Sequence, residues 1–232
     1  MDLPGVLLLT VTLFGLGAAA IVAFLAARRG RTRTVSSIAA VAAAWLAAYA
    51  AVLVVTSLAS RERTLALGET KRFCGFYLDC HMGVAVERVD TTSRIGEGSD
   101  ALQAGGTFYV ITVRVSSDAR RVPLQLDRPR AVLVDAEGYR HERALDAEQR
   151  LAGGGAPVDL EKRLDAGQSF TRRLVFDVPR GVREPRLHVT VGSPIERALE
   201  LAIIGDEDAL LHAPTLHALE PGAGVSSAAR AP

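Results

Sequence analysis

Two long apolar runs near the N-terminus constrain what this chain can fold into more than any other feature. Residues 5–27 and 37–58 contain no Asp, Glu, Lys, Arg or His, and the basic turn 28–33 lies between them. A helix of about 20 apolar residues crosses the hydrocarbon core of a bilayer. Both runs meet that length, so we expect residues 1–60 to form a transmembrane α-hairpin.

Two other interpretations of the first run fit less well. A cleaved signal peptide has a basic start and an apolar centre of about 7–15 residues, whereas only Asp2 precedes this much longer run. The core helix of a soluble protein would carry a polar stripe at helical spacing, and residues 5–27 are apolar on every face. We therefore expect the first helix to be retained as a membrane span.

The orientation of the hairpin follows from its charges. The turn holds four arginines, Arg28, Arg29, Arg31 and Arg33. Arg61 and Arg63 follow the second run, but the turn has the denser basic cluster, and basic loops stay in the cytoplasm. Only two basic residues, Lys71 and Lys162, are lysines, which is typical of a bacterial genome rich in G and C. We predict a multi-pass protein of the bacterial cytoplasmic membrane, with both termini and the soluble domain outside.

The second run contains a stripe of small residues at helical spacing, Ala39, Ala43, Ala47 and Ala51. Small residues four apart let two helix backbones approach closely in a membrane. The stripe can pack against Gly15 and Ala19 within the hairpin, or it can join two copies of the chain, and the sequence leaves both open. Neither run carries an ionisable group of the kind that transport requires, so the lipid bilayer is the expected partner and the hairpin an anchor.

Beyond the hairpin, short alternating segments separated by Gly, Pro and Asp predict a β-sandwich over residues 61–212 and a disordered tail over residues 213–232. Acidic and basic residues nearly balance there, which argues against a nucleic-acid partner. We expect 91–106 to be a loop, and 146–156 to be a loop with room for one helical turn. The predicted strands are 64–67, 70–73, 82–89, 107–116, 122–126, the hairpin 131–143, 169–178, 186–191 and 198–204, with 107–116 at the centre of a sheet.

Three of these segments carry a resemblance to a known family. They are 108–115 (FYVITVRV), 133–138 (LVDAEG) and 164–179 (LDAGQSFTRRLVFDVP). In this succession the chain resembles a bacterial family of telokin-like, immunoglobulin-type extracytoplasmic domains of unknown function. The resemblance covers about residues 82–192 and implies an antiparallel immunoglobulin-like β-sandwich outside the cytoplasm. It implies no catalytic residues, and it requires neither the double span nor the cysteine segment.

The segment from Cys74 to Met82 is the one stretch with chemical content. In an oxidising compartment, two cysteines that close a small loop predict a disulfide. One alternative is a redox-active pair, although five intervening residues do not match the Cys-x-x-Cys turn of tuned thiolates. Another is a metal site built from Cys74, Cys80 and His81, which lacks an evident fourth ligand. The disulfide is the leading prediction and the thiol-redox or metal-binding protein the alternative.

No other motif points to catalysis. The chain has no Gly-x-Ser-x-Gly, Walker or dinucleotide fingerprint. The acidic run 205–208 has enough carboxylates to suggest calcium, but a turn or helix cap explains such a run as well. We expect a non-enzymatic binding or structural module of the cell envelope, without a cofactor, whose partner is an envelope protein or a second copy of the chain.

Overall fold

The computed structural model of the chain describes residues 3–74, 80–153 and 159–220. The chain divides into two units, residues 1–61 with 194–214 and residues 62–193 with 215–232. The helices are α1 (Leu3–Arg28), α2 (Thr32–Ala59), α3 (Leu145–Leu151) and α4 (Pro194–Glu200). The strands are β1 (Arg63–Leu65), β2 (Thr70–Phe73), β3 (Met82–Ile95), β4 (Leu102–Ser117), β5 (Arg130–Val134), β6 (Arg140–His141), β7 (Ser169–Val178), β8 (Arg186–Thr190) and β9 (Thr215–Ala218).

The first unit is built on a helical hairpin, as the two apolar runs predict. Its helices begin and end up to five residues beyond the apolar runs, because helical hydrogen bonding continues into the polar flanks. The turn reverses at Gly30, whose φ of +68° lies in the left-handed region that glycine adopts without strain. Both helices are long and apolar enough to cross a membrane.

Residues 194–214 complete this unit by packing against the hairpin. The Tyr49 hydroxyl donates a hydrogen bond to the Ala202 carbonyl at 2.6 Å. At Gly5, an added Cβ would lie 2.1 Å from the Ile204 carbonyl oxygen, so only glycine allows this approach. The strand predicted at 198–204 is wrong: α4 starts at Pro194, a residue suited to the first helical position, and turns follow it.

The second unit is a two-sheet β-sandwich. In the part of the chain that the structure describes, one sheet has the order β1-β9-β8-β5-β6 and the other has the order β2-β3-β4-β7. Strand β4 pairs with β3 on one side and β7 on the other, which confirms the central place predicted for residues 107–116. The predicted hairpin 131–143 is confirmed as the β5–β6 pair.

Several local predictions for the second unit are wrong. Residues 91–106 are not one long loop, because β3 and β4 continue into this region and Ile95 pairs with Leu102. Residues 122–126 form only an isolated bridge at Leu124. In the predicted loop 146–156, the helical turn for which the sequence leaves room is the longer helix α3, Leu145–Leu151; residues 154–156 lie outside the described chain.

Two further predictions are wrong at the C-terminal end of the described chain: the disordered tail and the purely antiparallel sandwich. Strand β9, in the segment predicted to be a disordered tail, pairs in parallel with β1 and antiparallel with β8. The sandwich is therefore mixed and not purely antiparallel. Burial explains the strand, since Leu216 and Leu219 are both almost fully buried. The remainder of the predicted tail, 221–232, lies outside the described residues.

The interior of the sandwich follows the alternation of its strands. Ile111, Val113 and Val115 of β4 point into the main core together with Leu174 and Phe176 of β7. A smaller apolar cluster lies on the outer face of the same sheet, where Ala147 of α3 packs with Ile95, Phe108, Val110 and Val175. The apolar side chains on the outer face of this sheet hold α3 in place. A polar cavity lies beside this contact, between α3 and β7.

Candidate functional site

The two cysteines predicted to pair are joined by a disulfide. Cys74 follows β2, Cys80 precedes β3, and their sulfur atoms are bonded across a sequence separation of six. Because Phe73 and Met82 are also paired across β2 and β3, the disulfide fastens the start of this strand pair. The residues between the cysteines, 75–79, lie outside the described chain.

His81 belongs to a surface cluster of charges. Its Nδ1 lies 2.7 Å from Asp118 Oδ1, and Arg72 forms an ion pair with the same carboxylate. The hydrogen bonds from Arg72 and then His81 lower the pKa of Asp118. Among the residues described, no group of three or more His, Cys, Asp or Glu side chains is arranged to hold a metal ion. The geometry around His81 is that of an ion-pair cluster.

The acidic run 205–208 forms a turn. Asp206 Oδ1 accepts a hydrogen bond from the Asp208 backbone nitrogen at 3.0 Å. Nearby, Glu200 is buried, and its Oε2 has no hydrogen-bond partner among the described residues. Burial, and then the charges of Asp208, Asp206 and Glu196, raise the pKa of Glu200 to about 7. The neighbouring carboxylates act on Glu200 through their charges, and they do not converge as a metal site.

The hairpin residues singled out in the sequence are all on its surface. The four turn arginines are exposed, and the guanidinium of Arg28 lies over the Phe24 ring at 5.4 Å from its centroid. The stripe Ala39, Ala43, Ala47 and Ala51 is exposed as well. It therefore does not pack against α1, and its role in self-association remains a prediction.

Trp45 Nε1, in contrast, donates to Thr12 Oγ1 at 3.2 Å and links the two helices. An apolar groove of about 540 Å³ between α1 and α2 is lined by both residues, with Gly15, Ala19 and Ala42 among the others.

A buried ion pair that the sequence does not reveal holds α3 in place. The Glu148 side chain of α3 is fully buried. The Arg143 guanidinium donates two hydrogen bonds to its carboxylate, from Nε to Oε1 at 2.8 Å and from Nη2 to Oε2 at 2.5 Å. The Val175 backbone nitrogen also donates to the same carboxylate at 3.1 Å. The bond to Glu148 raises the pKa of Arg143. A buried carboxylate requires such partners, and this one has three donors.

A cavity of about 370 Å³ opens beside this ion pair. It is lined by Thr112, Glu148, Leu151, Ala152, Thr171, Arg172 and Arg173. Burial lowers the pKa of Arg172, and its Nε and Nη2 have no acceptor among the described residues. Arg173 makes one long contact, from Nη2 to the Leu151 carbonyl at 3.4 Å. The cavity therefore holds two positive charges that no carboxylate contacts directly in the described chain.

One signal in the sequence could have revealed this cavity. Successive side chains of a strand leave toward opposite faces, so two adjacent arginines in an otherwise apolar strand can share one cavity only at the open edge of a sheet, which is where β7 lies. Arg172 and Arg173 stand in β7 between Phe170 and Leu174. The sequence does not predict where α3 packs. This packing brings Glu148 to the cavity that Arg172 and Arg173 line.

A family model described as "Domain of unknown function (DUF4352)" matches residues 79–197, just over half of the chain. The chain belongs to the DUF4352 family. No curated protein matches it. The DUF4352 segment contains every residue that lines the polar cavity and does not include the helical hairpin.

Several solved structures share a limited likeness with this DUF4352 protein. MPT63, a secreted protein from Mycobacterium tuberculosis, is 13% identical, with a TM-score of 0.42 over 68% of this chain and 98% of that one. The yjhA protein from Bacillus subtilis is 14% identical, with a TM-score of 0.40 over 67% and 98%. A conserved hypothetical protein from Bacillus anthracis is 18% identical, with a TM-score of 0.39 over 56% and 90%.

Proposed function

We propose that this protein is a membrane-anchored module of the bacterial cell envelope. In this proposal the hairpin spans the cytoplasmic membrane, and the sandwich, of the telokin-like immunoglobulin type, faces outward. There it binds another envelope component without catalysing a reaction. The observation that carries the proposal is the exposure of the hairpin: only 6% of the most apolar window of each helix is buried.

This exposure argues for a lipid environment. Removing apolar surface from water is favourable by about 25 cal/mol per Å², and the hairpin leaves large apolar side chains exposed, including Phe14 at 77% exposure and Val41 at 71%. A core helix of a soluble protein would be mostly buried. A bilayer removes the cost because its interior is itself apolar.

Two further observations support an exported sandwich. Structural disulfides persist in oxidising compartments outside the cytoplasm, and Cys74 and Cys80 form one. The arginine-rich turn favours the cytoplasm, so both ends of the hairpin would face outward. The thiol-redox alternative would require the same pair to cycle between dithiol and disulfide, and its spacing of five intervening residues differs from the Cys-x-x-Cys turn of tuned thiolates.

Two experiments test the proposal. An N-terminal epitope tag should remain on the mature protein in the membrane fraction after carbonate extraction; its loss would mean that α1 is a cleaved signal sequence. Chemical crosslinking in intact cells, followed by purification in a mild detergent, should then recover a defined envelope partner or a homo-oligomer. A purified chain that is monomeric and free of any crosslinked partner contradicts the binding role.

A further inference from the structure

The cavity between α3 and β7 is a half-open pocket with unbalanced positive charge. Its volume of about 370 Å³ falls within the range of small-molecule sites, roughly 300–1,000 Å³. Both arginines that line it, Arg172 and Arg173, come from the edge strand of their sheet. The cavity also lies entirely within the second unit of the chain.

The one acidic residue that lines the cavity is already neutralised. Glu148 accepts two bonds from Arg143 and one from the Val175 backbone nitrogen, so it has little capacity left to pair with another cation. Glu148 and then Asp159 act on Arg172 through their charges, without a direct contact between the side chains in the described residues. Arg172 thus carries a partly desolvated charge without an ion-pair partner among the described residues, an arrangement that is costly unless a counter-charge arrives.

The remaining lining groups suit an oxyanion. Thr112 and Thr171 bring two hydroxyls to the lining of the cavity, and Thr112 lies directly across from Arg173 in the β4–β7 register. A guanidinium with neighbouring hydroxyls is a common way to hold carboxylate or phosphate oxygens, because the planar fork and the O–H groups all donate. No other side chain that lines the cavity carries an acidic group.

We propose that this cavity binds an oxyanion, the carboxylate or phosphate group of a small ligand, through Arg172, Arg173 and the two threonine hydroxyls. The inference rests on the proposed role as a binding module and names its ligand class. The cavity does not include the hairpin, so the two proposals can fail separately. Failure of oxyanion binding would not change the result of the N-terminal tag experiment. Cleavage of the first helix would not change oxyanion binding by the cavity.

The test uses the full chain in a neutral maltoside detergent, which contributes no phosphate. Titration with inorganic phosphate, and separately with succinate, is followed by calorimetry and by the thermal midpoint, with sodium chloride at equal ionic strength as the reference. We expect saturable binding of at least one oxyanion. The Arg172→Gln variant should bind roughly tenfold or more weakly, and its midpoint without ligand should be unchanged or higher because an unpaired buried charge is gone.

Two further variants keep the test decisive. Arg173→Gln, at an exposed position, should also weaken binding and serves if Arg172→Gln does not fold. Arg121→Gln, an exposed residue outside the cavity, should bind as the unaltered chain does. Tighter binding of phosphate or of succinate identifies the kind of group, and equal binding indicates an unselective oxyanion site. The proposal is overturned if neither oxyanion binds beyond the chloride reference, or if both cavity variants bind as well as Arg121→Gln.

Discussion

Two phenylalanines, one in each unit of the chain, meet opposite surroundings. Phe176 of β7 is fully buried among the apolar side chains of the sandwich, whereas Phe14 of α1 is 77% exposed. The same contrast holds across the two units: the sandwich hides alternate residues of its strands, and the hairpin exposes apolar residues on nearly every face. One unit is stabilised by excluding water from its own interior, and the other exposes the apolar surface that the proposed membrane would cover.

The two units also differ in how they treat charge. Between Leu3 and Ala59 the ionisable side chains with charge are the four arginines at the turn. The sandwich instead buries a charged pair, Arg143 with Glu148. A hairpin without internal charges suits lipid, because an uncompensated charge in a bilayer costs several kcal/mol. The sandwich tolerates a buried carboxylate because three donors reach it.

The largest expected effect comes from removing one phenylalanine from each unit. Phe176→Ala should lower the free energy of unfolding of the sandwich by about 3–5 kcal/mol, because it leaves a cavity in the core. Phe14→Ala should leave it unchanged, since Phe14 has few protein contacts to lose. Urea unfolding in detergent micelles, followed by circular dichroism in the β-sheet band, measures both. Equal effects would show that the contrast in burial is wrong.

The second effect concerns the buried ion pair. Arg143→Met strands the Glu148 carboxylate without its main partner and should cost about 3–5 kcal/mol of unfolding free energy. The double variant Arg143→Met/Glu148→Leu should recover most of that loss, since two apolar side chains can replace a buried pair. Arg63→Met, which breaks an exposed pair with Glu69, is the control and should have little effect. If both single variants behave alike, Glu148 is not buried as described.

The disulfide should have a smaller effect. The double variant Cys74→Ser/Cys80→Ser should lower the unfolding free energy of the sandwich by about 2 kcal/mol, the chain-entropy value for so short a loop. Reduction of the unaltered protein should produce the same loss, and the reductant should not affect the variant. If reduction lowers the unfolding free energy of the unaltered protein but the double variant is as stable as the unreduced protein, the disulfide is not the cause of the loss.

A further effect is a pH dependence of the first unit. Because the pKa of Glu200 is raised from 4.5 to about 7, the folded state retains a proton that the unfolded state releases. The contribution of this group to stability is therefore fully present below about pH 4.5 and is lost as the pH rises toward 7. Trp45, the only tryptophan, reports on this unit by fluorescence during denaturation. Glu200→Gln should remove this pH dependence, and an unchanged profile would contradict the assignment.

Features encoded locally in the sequence were predictable. The two hairpin helices follow from residues 5–27 and 37–58 because apolarity over that length is a local property. The central strand β4 follows from its alternation, and the disulfide follows from two cysteines close in sequence. Positions 91–106 were misread because they are polar, although pairing with the opposite strand extends both β3 and β4 through them.

Features that depend on distant contacts were not predictable. Strand β9 exists because Leu216 is buried next to β1, some 150 residues earlier in the chain. Helix α3 is short and polar, and it is held by Ala147 against the outer face of a sheet that the sequence does not reveal. The cavity requires both β7 and α3, so neither Arg172 nor Glu148 alone identifies it.

The most direct test of the two-environment account is a pair of reporter fusions in living bacteria. Alkaline phosphatase, which is active only after export, is joined after residue 232, and in a second strain it is inserted after Gly30 in the arginine turn. Green fluorescent protein at the same two positions reports the cytoplasm. We predict phosphatase activity at the C-terminus and fluorescence at the turn. Fluorescence at the C-terminus together with an inactive phosphatase there would contradict an exported sandwich on a membrane hairpin.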